Sequence, residues 1–158
     1  MKLTKTCLFL SAMTVMLVGL PESASASDTA NVPIRANVKK VCTISAAGVT
    51  FVDYDPLATA PNTATGSVTI RCTKGASTPI DLGLGSNADG TTRRMLSGTS
   101  NYLPYELYKE VEGVRSVWGS GSSGLTPEVL NNFGSRTFTI YGQIPVGQDV
   151  PEATDYAD

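Results

Sequence analysis

In the stretch NVPIRANVKKVCTI, residues 31–44, polar and apolar side chains alternate. Val32, Ile34, Ala36, Val38, Cys42 and Ile44 all occupy even positions, and Lys40 alone interrupts the row. An extended chain sends successive side chains to opposite faces, so the row describes one apolar face of a β-strand. At about 3.3 Å per residue these positions span roughly 45 Å. An ordinary strand covers about 17–20 Å. A small domain has no use for a strand of that reach, and its length has to be explained.

The same two-residue period recurs between turn residues along the chain, as in all-β proteins. GSVTIRCT (66–73) places Val68, Ile70 and Cys72 on one face and Ser67, Thr69 and Arg71 on the other. RTFTIYGQIPV (136–146) does likewise with Phe138, Ile140, Gly142 and Ile144, and TPIDLGLG (78–85) with Ile80, Leu82 and Leu84. VTFVDY (49–54) reads as a further β-branched strand, stopped by Asp55-Pro56. GSNADG (85–90) and GSGSSG (119–124) read as turns. One segment is ambiguous. YLPYELYKEVEG (102–113) sets Leu103, Leu107, Tyr108 and Val111 at helical spacing, whereas a strand would align Leu103, Tyr105 and Leu107; the local pattern alone slightly favours the helix. TPEVLNNFG (126–134) suggests a short helical turn.

The amino terminus reads as a secretory signal peptide over residues 1–26. Lys2 and Lys5 precede the apolar run TCLFLSAMTVMLVGL, and Ala24-Ser25-Ala26 supplies a small-x-small cleavage site. Cys7 leaves with that segment. Cys42 and Cys72 remain, and two cysteines in an exported chain read as one disulfide, with two separate buried thiols as the alternative.

The formal net charge of −2 comes with no basic stripe, which disfavours nucleic acid as a partner. The chain has no histidine, so the commonest general base and metal ligand is missing. Asp53 and Asp55 flank a turn signal and read as a solvated loop edge. The serines lack a base of the usual kinds. No enzyme activity, cofactor or metal is expected. Trp118 with Tyr102, Tyr105 and Tyr108 could line a carbohydrate-binding surface, although such aromatics are more often core or cross-strand partners.

Taken in order, FVDYDPL, TGSVTIRCTKG, RRML, YLPYELYKE, VWG and YGQIPVGQ resemble the spore coat protein U domain over about 42–158. That family includes pilin subunits of archaic chaperone–usher pili. The resemblance implies an incomplete immunoglobulin-like β-sandwich, completed by a donor strand from a neighbouring subunit. It implies three kinds of partner: identical or related pilin subunits, a periplasmic chaperone and an outer-membrane usher. The product would be exported through the periplasm to the cell surface. Residues 27–38 become the donor extension, with Val32, Ile34, Ala36 and Val38 as alternate plugs, and residues 39–158 the pilin domain. Cys42 and Cys72 match the family's paired cysteines.

The overlong row then divides at Lys39-Lys40 into a strand for the neighbour and a strand for this domain. The family also favours strand over helix at 102–109, and that reading is followed. Two departures stand out. Pro33 falls inside the donor, where it removes a ladder hydrogen bond. Family members also continue past a Y-x-D like Tyr156-Ala157-Asp158 into a closing strand of alternating Thr and Val. The expectation is therefore a chain truncated at its carboxy end that does not fold stably alone. A coat protein of the cell envelope or spore, built on the same fold, is the alternative, and a secreted carbohydrate-binding sandwich a further one.

Cleavage after Ala26 predicts an exported product that begins at Ser27. Amino-terminal sequencing checks this, and a product that keeps residues 1–26 contradicts it.

Overall fold

Two eleven-residue strands organise the fold in the computed structural model, which describes residues 28–129 and 132–158. The signal peptide expected at 1–26 lies outside the described residues. Contacts separate two units, Met1–Ala36 and Asn37–Asp158, and the sheet belongs to the second. Strands β1 (Cys42–Ala47), β2 (Asn62–Cys72), β3 (Arg93–Ser97), β4 (Asn101–Val111), β5 (Val114–Val117) and β6 (Gly134–Ile144) follow in chain order. β2 and β6 pair antiparallel over their whole length, from Asn62 opposite Ile144 to Cys72 opposite Gly134. Their even positions carry the core, with Val68, Ile70, Cys72, Ile140 and Ile144 all buried. Their odd positions face outward, where the Thr69 and Thr137 hydroxyls bond across the ladder at 2.8 Å.

The strand order is β1-β2-β6-β4-β3, with β5 also paired to β4. The fold is all-β, an open, curled sheet of sandwich type; among the described residues the one helical piece is a 3-10 turn at Gly121–Ser123. β4 takes the strand form over the segment with helical spacing. It pairs with β3 through Asn101 to Tyr105, with β6 through Glu106 to Tyr108, and with β5 through Tyr108 to Val111. A strand with ladder partners on both sides gains more from those bonds than local helix propensity offers.

Three expected elements come out differently. Residues 49–54 form no ladder, although their alternation does describe their burial: Val49 and Phe51 are half-buried and Val52 is exposed. Gly142 makes that possible, since a Cβ there would lie 2.6 Å from Val49 Cγ1 and 2.8 Å from Phe51 Cζ. Alternation reports which face is covered and not which groups are paired; here the Asn62 side chain, at the start of β2, donates to Val52 O at 3.0 Å and Asp53 O at 3.1 Å. Residues 78–85 contribute one bridge, Ile80 with Leu125, followed by Leu82 N–H donating to Gly119 O at 3.1 Å. The helical turn expected at 126–134 is absent over 126–129, and its last residue opens β6; residues 130 and 131 lie outside the described residues.

The loops close around Trp118 and Arg93. Trp118 is fully buried, and its indole Nε1–H donates to Ile80 O at 2.9 Å. Arg93 is only 1% exposed, and its guanidinium joins four elements. Nε donates to Gly83 O at 2.9 Å, Nη2 to Leu82 O at 3.0 Å and to Trp118 O at 2.7 Å, and Nη1 to the Glu106 carboxylate. A buried charge is tolerable only when its donors are satisfied and a counter-ion is present, and Arg93 has both.

Arg93→Met removes the cation, strands three carbonyls and leaves Glu106 without its partner. The expected loss is about 3–5 kcal/mol, read as a fall in the denaturant midpoint of the full chain. A midpoint within experimental error of the parent contradicts this role for Arg93.

Candidate functional site

The structure separates the long alternating row into two parts with different fates. From residue 42 onward the row is β1, paired residue for residue with β2. Residues 28–40 are exposed and form no strand. Val32, Ile34 and Val38 are 79%, 90% and 89% exposed, and Ala36 is exposed as well. Aliphatic side chains left in water at every second position over seven residues forgo the burial that ordinarily stabilises a folded chain, roughly 1.5–3 kcal/mol for each large one.

Among the described residues three strands of the sheet, β1, β3 and β5, are paired on one side only. Among the described residues β1 pairs with β2 alone, and Ile44 on its apolar face is 62% exposed. β3 pairs with β4, and its other edge meets a single residue: Leu96 N–H donates to Ala157 O at 2.8 Å and Ala157 N–H to Leu96 O at 3.1 Å. Unpaired strand edges offer rows of N–H and C=O groups to any passing extended chain. Cys42 and Cys72 lie directly opposite each other and are joined by a disulfide. With so little of β1 buried, the ladder to β2 and this link are what hold it. A loop with a sequence separation of 30 corresponds to about 3–4 kcal/mol on the chain-entropy account.

Near the free edge of β3, Asp158 is held in a cradle of donors that pattern reasoning did not find. Its Oδ1 accepts from Ser86 N–H at 2.7 Å and Asn87 N–H at 3.1 Å, and its Oδ2 from the Tyr105 hydroxyl at 2.7 Å. Gly85, at φ +83°, is obligatory here, because a Cβ would fall 1.7 Å from Asp158 Oδ2. Partial burial works against the charged carboxylate, but the bonds from Tyr105, Ser86 and Asn87 outweigh it and hold the pKa below 3.8. Burial and then the bond to Asp158 push the Tyr105 hydroxyl well above its ordinary 10.0.

The other candidates resolve differently. Trp118 cannot line a carbohydrate-binding surface, since it is buried beneath the loops, and the tyrosines do not gather around it. Tyr102 lies under the Arg94 guanidinium at 4.1 Å, Tyr105 is committed to Asp158, and Tyr108 sits opposite Tyr141 of β6. Asp55 makes the turn expected of it, accepting from Leu57 N–H at 2.9 Å. Tyr54 in FVDYDPL spans the chain, donating to Pro145 O at 2.9 Å and accepting from Gln148 N–H at 2.9 Å. Among the described residues no group of three His, Cys, Asp or Glu side chains could hold a metal ion.

The profile of the Spore Coat Protein U domain matches residues 28–158. The chain belongs to this family. It is also similar to Protein U of Myxococcus xanthus, 33% identical over 172 aligned residues that cover 98% of this chain and 94% of that protein. No solved structure matches. Spore coat U domains are structural domains of the pilin and coat type, which assemble with other subunits into surface structures. The segments that carried the resemblance acquire physical roles here: RRML supplies the buried Arg93, YLPYELYKE most of β4, VWG the buried Trp118, and Tyr156-Ala157-Asp158 the cradled carboxylate.

The depressed pKa of Asp158 makes its contribution to stability complete above the unfolded value of 3.8; the contribution is lost as pH falls through the lower folded value. Asp158→Asn should therefore be less stable than the parent at neutral pH, with the gap closing below about pH 4. Equal gaps at pH 7 and pH 3 in denaturant unfolding contradict the cradle's charge dependence.

Proposed function

We propose that the chain is a structural subunit of an extracellular chaperone–usher fibre, polymerised by donor-strand complementation and serving adhesion or biofilm formation. One observation carries this reading. An alternating aliphatic row at 32–38 stands exposed ahead of a sheet whose edge strands, among the described residues, are paired on one side only. Each half supplies what the other lacks. Val32, Ile34, Ala36 and Val38 of one copy would enter the open sheet of the next, as in β-augmentation, where ladder bonds give strength and alternate side chains give fit. Burying these side chains is worth roughly 5–8 kcal/mol before ordering costs. A slip of one residue would turn the row outward, so Lys39-Lys40, where the apolar face breaks, limits the register. Pro33 lacks one backbone donor and belongs at the frayed end of the insert. A subunit with open edges is liable to wrong pairing, which is the physical reason for a periplasmic chaperone and an outer-membrane usher as partners.

A coat of the cell or spore envelope is the second reading, favoured by the family's description and by the similarity to Protein U. Electron microscopy of producing cells separates thin fibres from a continuous layer, and chaperone and usher genes beside this one favour the fibre.

Removal of residues 27–38 should abolish polymers while leaving a subunit that its chaperone still retains. Ile34→Asp should weaken assembly strongly, because a carboxylate replaces a buried plug. Heat-resistant polymers of unchanged length from the deleted protein, in the presence of chaperone and usher, refute donor-strand assembly.

A further inference from the structure

The outward face of the sheet carries a recess of about 470 Å³, lined by Thr63, Thr65, Tyr108, Arg115, Tyr141 and Gln143. We infer that this recess is a binding site for an acidic saccharide, with Arg115 receiving a carboxylate of the sugar. Its volume lies within the ~300–1,000 Å³ of small-molecule sites, but its lining is unusually polar for one. Two threonine hydroxyls, two phenols and a carboxamide suit a ligand dense in hydroxyl groups rather than an apolar one. Register explains how they meet. Thr65 lies opposite Tyr141, Thr63 opposite Gln143, and Tyr141 opposite Tyr108, so three strands deliver these side chains to one face.

Arg115 is the one cation in this lining, and it forms a partly exposed ion pair with Glu110. Its guanidinium lies 4.0 Å from the centre of the Tyr141 ring, and Nε donates to Glu110 Oε2 at 3.2 Å. Stacking and that single bond hold the planar group in place, while among the described residues its two terminal nitrogens have no hydrogen-bond partner. A fixed guanidinium fork matches a carboxylate with two parallel bonds. With the Arg115 guanidinium over Tyr141, the phenol of Tyr108 is left to pack against the sugar's C–H surface. The face involved is opposite the one that carries the core, so the site does not depend on donor-strand assembly.

The test uses the full chain and tri-galacturonate as probe, with calorimetry as readout. Tri-galacturonate should bind, and its methyl ester should bind at least about tenfold more weakly. Arg115→Gln, at a side chain 56% exposed, should lose a similar factor for the acid while keeping the parent's unfolding midpoint. Thr65→Val should weaken acid and ester by the same factor. The inference is overturned if the acid fails to bind at millimolar concentration, if acid and ester bind alike, or if Arg115→Gln binds the acid as the parent does. It is also overturned if acetate competes as well as the trisaccharide does, since the site would then recognise an anion and not a sugar.

Discussion

The eleven-pair ladder between β2 and β6 is the constraint on which the rest of the molecule depends. Its parity decides which residues are inside. With Asn62 opposite Ile144, Val68, Ile70 and Cys72 share a face with Ile140 and Ile144. A shift of one residue would bury Thr69 and Arg71 in their place. The strands are far apart in sequence, so loop closure opposes their pairing until the ladder is made. Everything else attaches to this pair. β1 and its disulfide are on one flank, β4 with β3 and β5 on the other, and the 76–82 and 118–125 loops lie over the open face.

Arg93 secures those loops in a way that apolar packing does not. Its three bonds to backbone carbonyls join residues 82, 83 and 118 to β3, and its ion pair adds β4. Directional bonds specify one arrangement of irregular chain, whereas a purely apolar contact tolerates several. The lone tryptophan follows the same logic, because its indole N–H is tied to Ile80 O and its ring fills the centre of the core. β3 carries Arg93 and so belongs to this locked region, whereas β1 and the residues ahead of it are largely exposed.

Reading by period succeeded where a strand has one buried face. The inward faces of β2 from Gly66 and of β6 from Arg136 were legible, although the first four residues of β2 and the first two of β6 were not. It was less informative where burial and hydrogen bonding part company. The segment 49–54 alternates because Val49 and Phe51 cover the sheet end, yet it has no ladder partner. Residues 102–113 carry a helical spacing that three neighbouring strands override. Arg93 and Asp158 could not be assigned roles from pattern, since a charged residue in or after a strand reads as solvated. Their roles arise from carbonyls and amides that the loops bring from 10 to 72 residues away. Trp118 is a core residue, as its residue type favoured over a place on the surface, and the loops that cover it were not legible from pattern.

By itself the amino-acid sequence determined the all-β class, the inward faces of β2 and β6, the two cysteines available to pair and the excess length of the opening row. These follow from local chemistry: side chains alternate along an extended backbone, and a strand with apolar residues on one side gains by turning that side from water. Only the tertiary structure decided which strands are neighbours, that 49–54 covers the sheet without joining it, that Arg93 is the internal clasp, and that, among the described residues, β1, β3 and β5 each keep an edge without a strand. Those outcomes depend on hydrogen bonds between residues distant in sequence, and no local pattern records which carbonyl will face which donor.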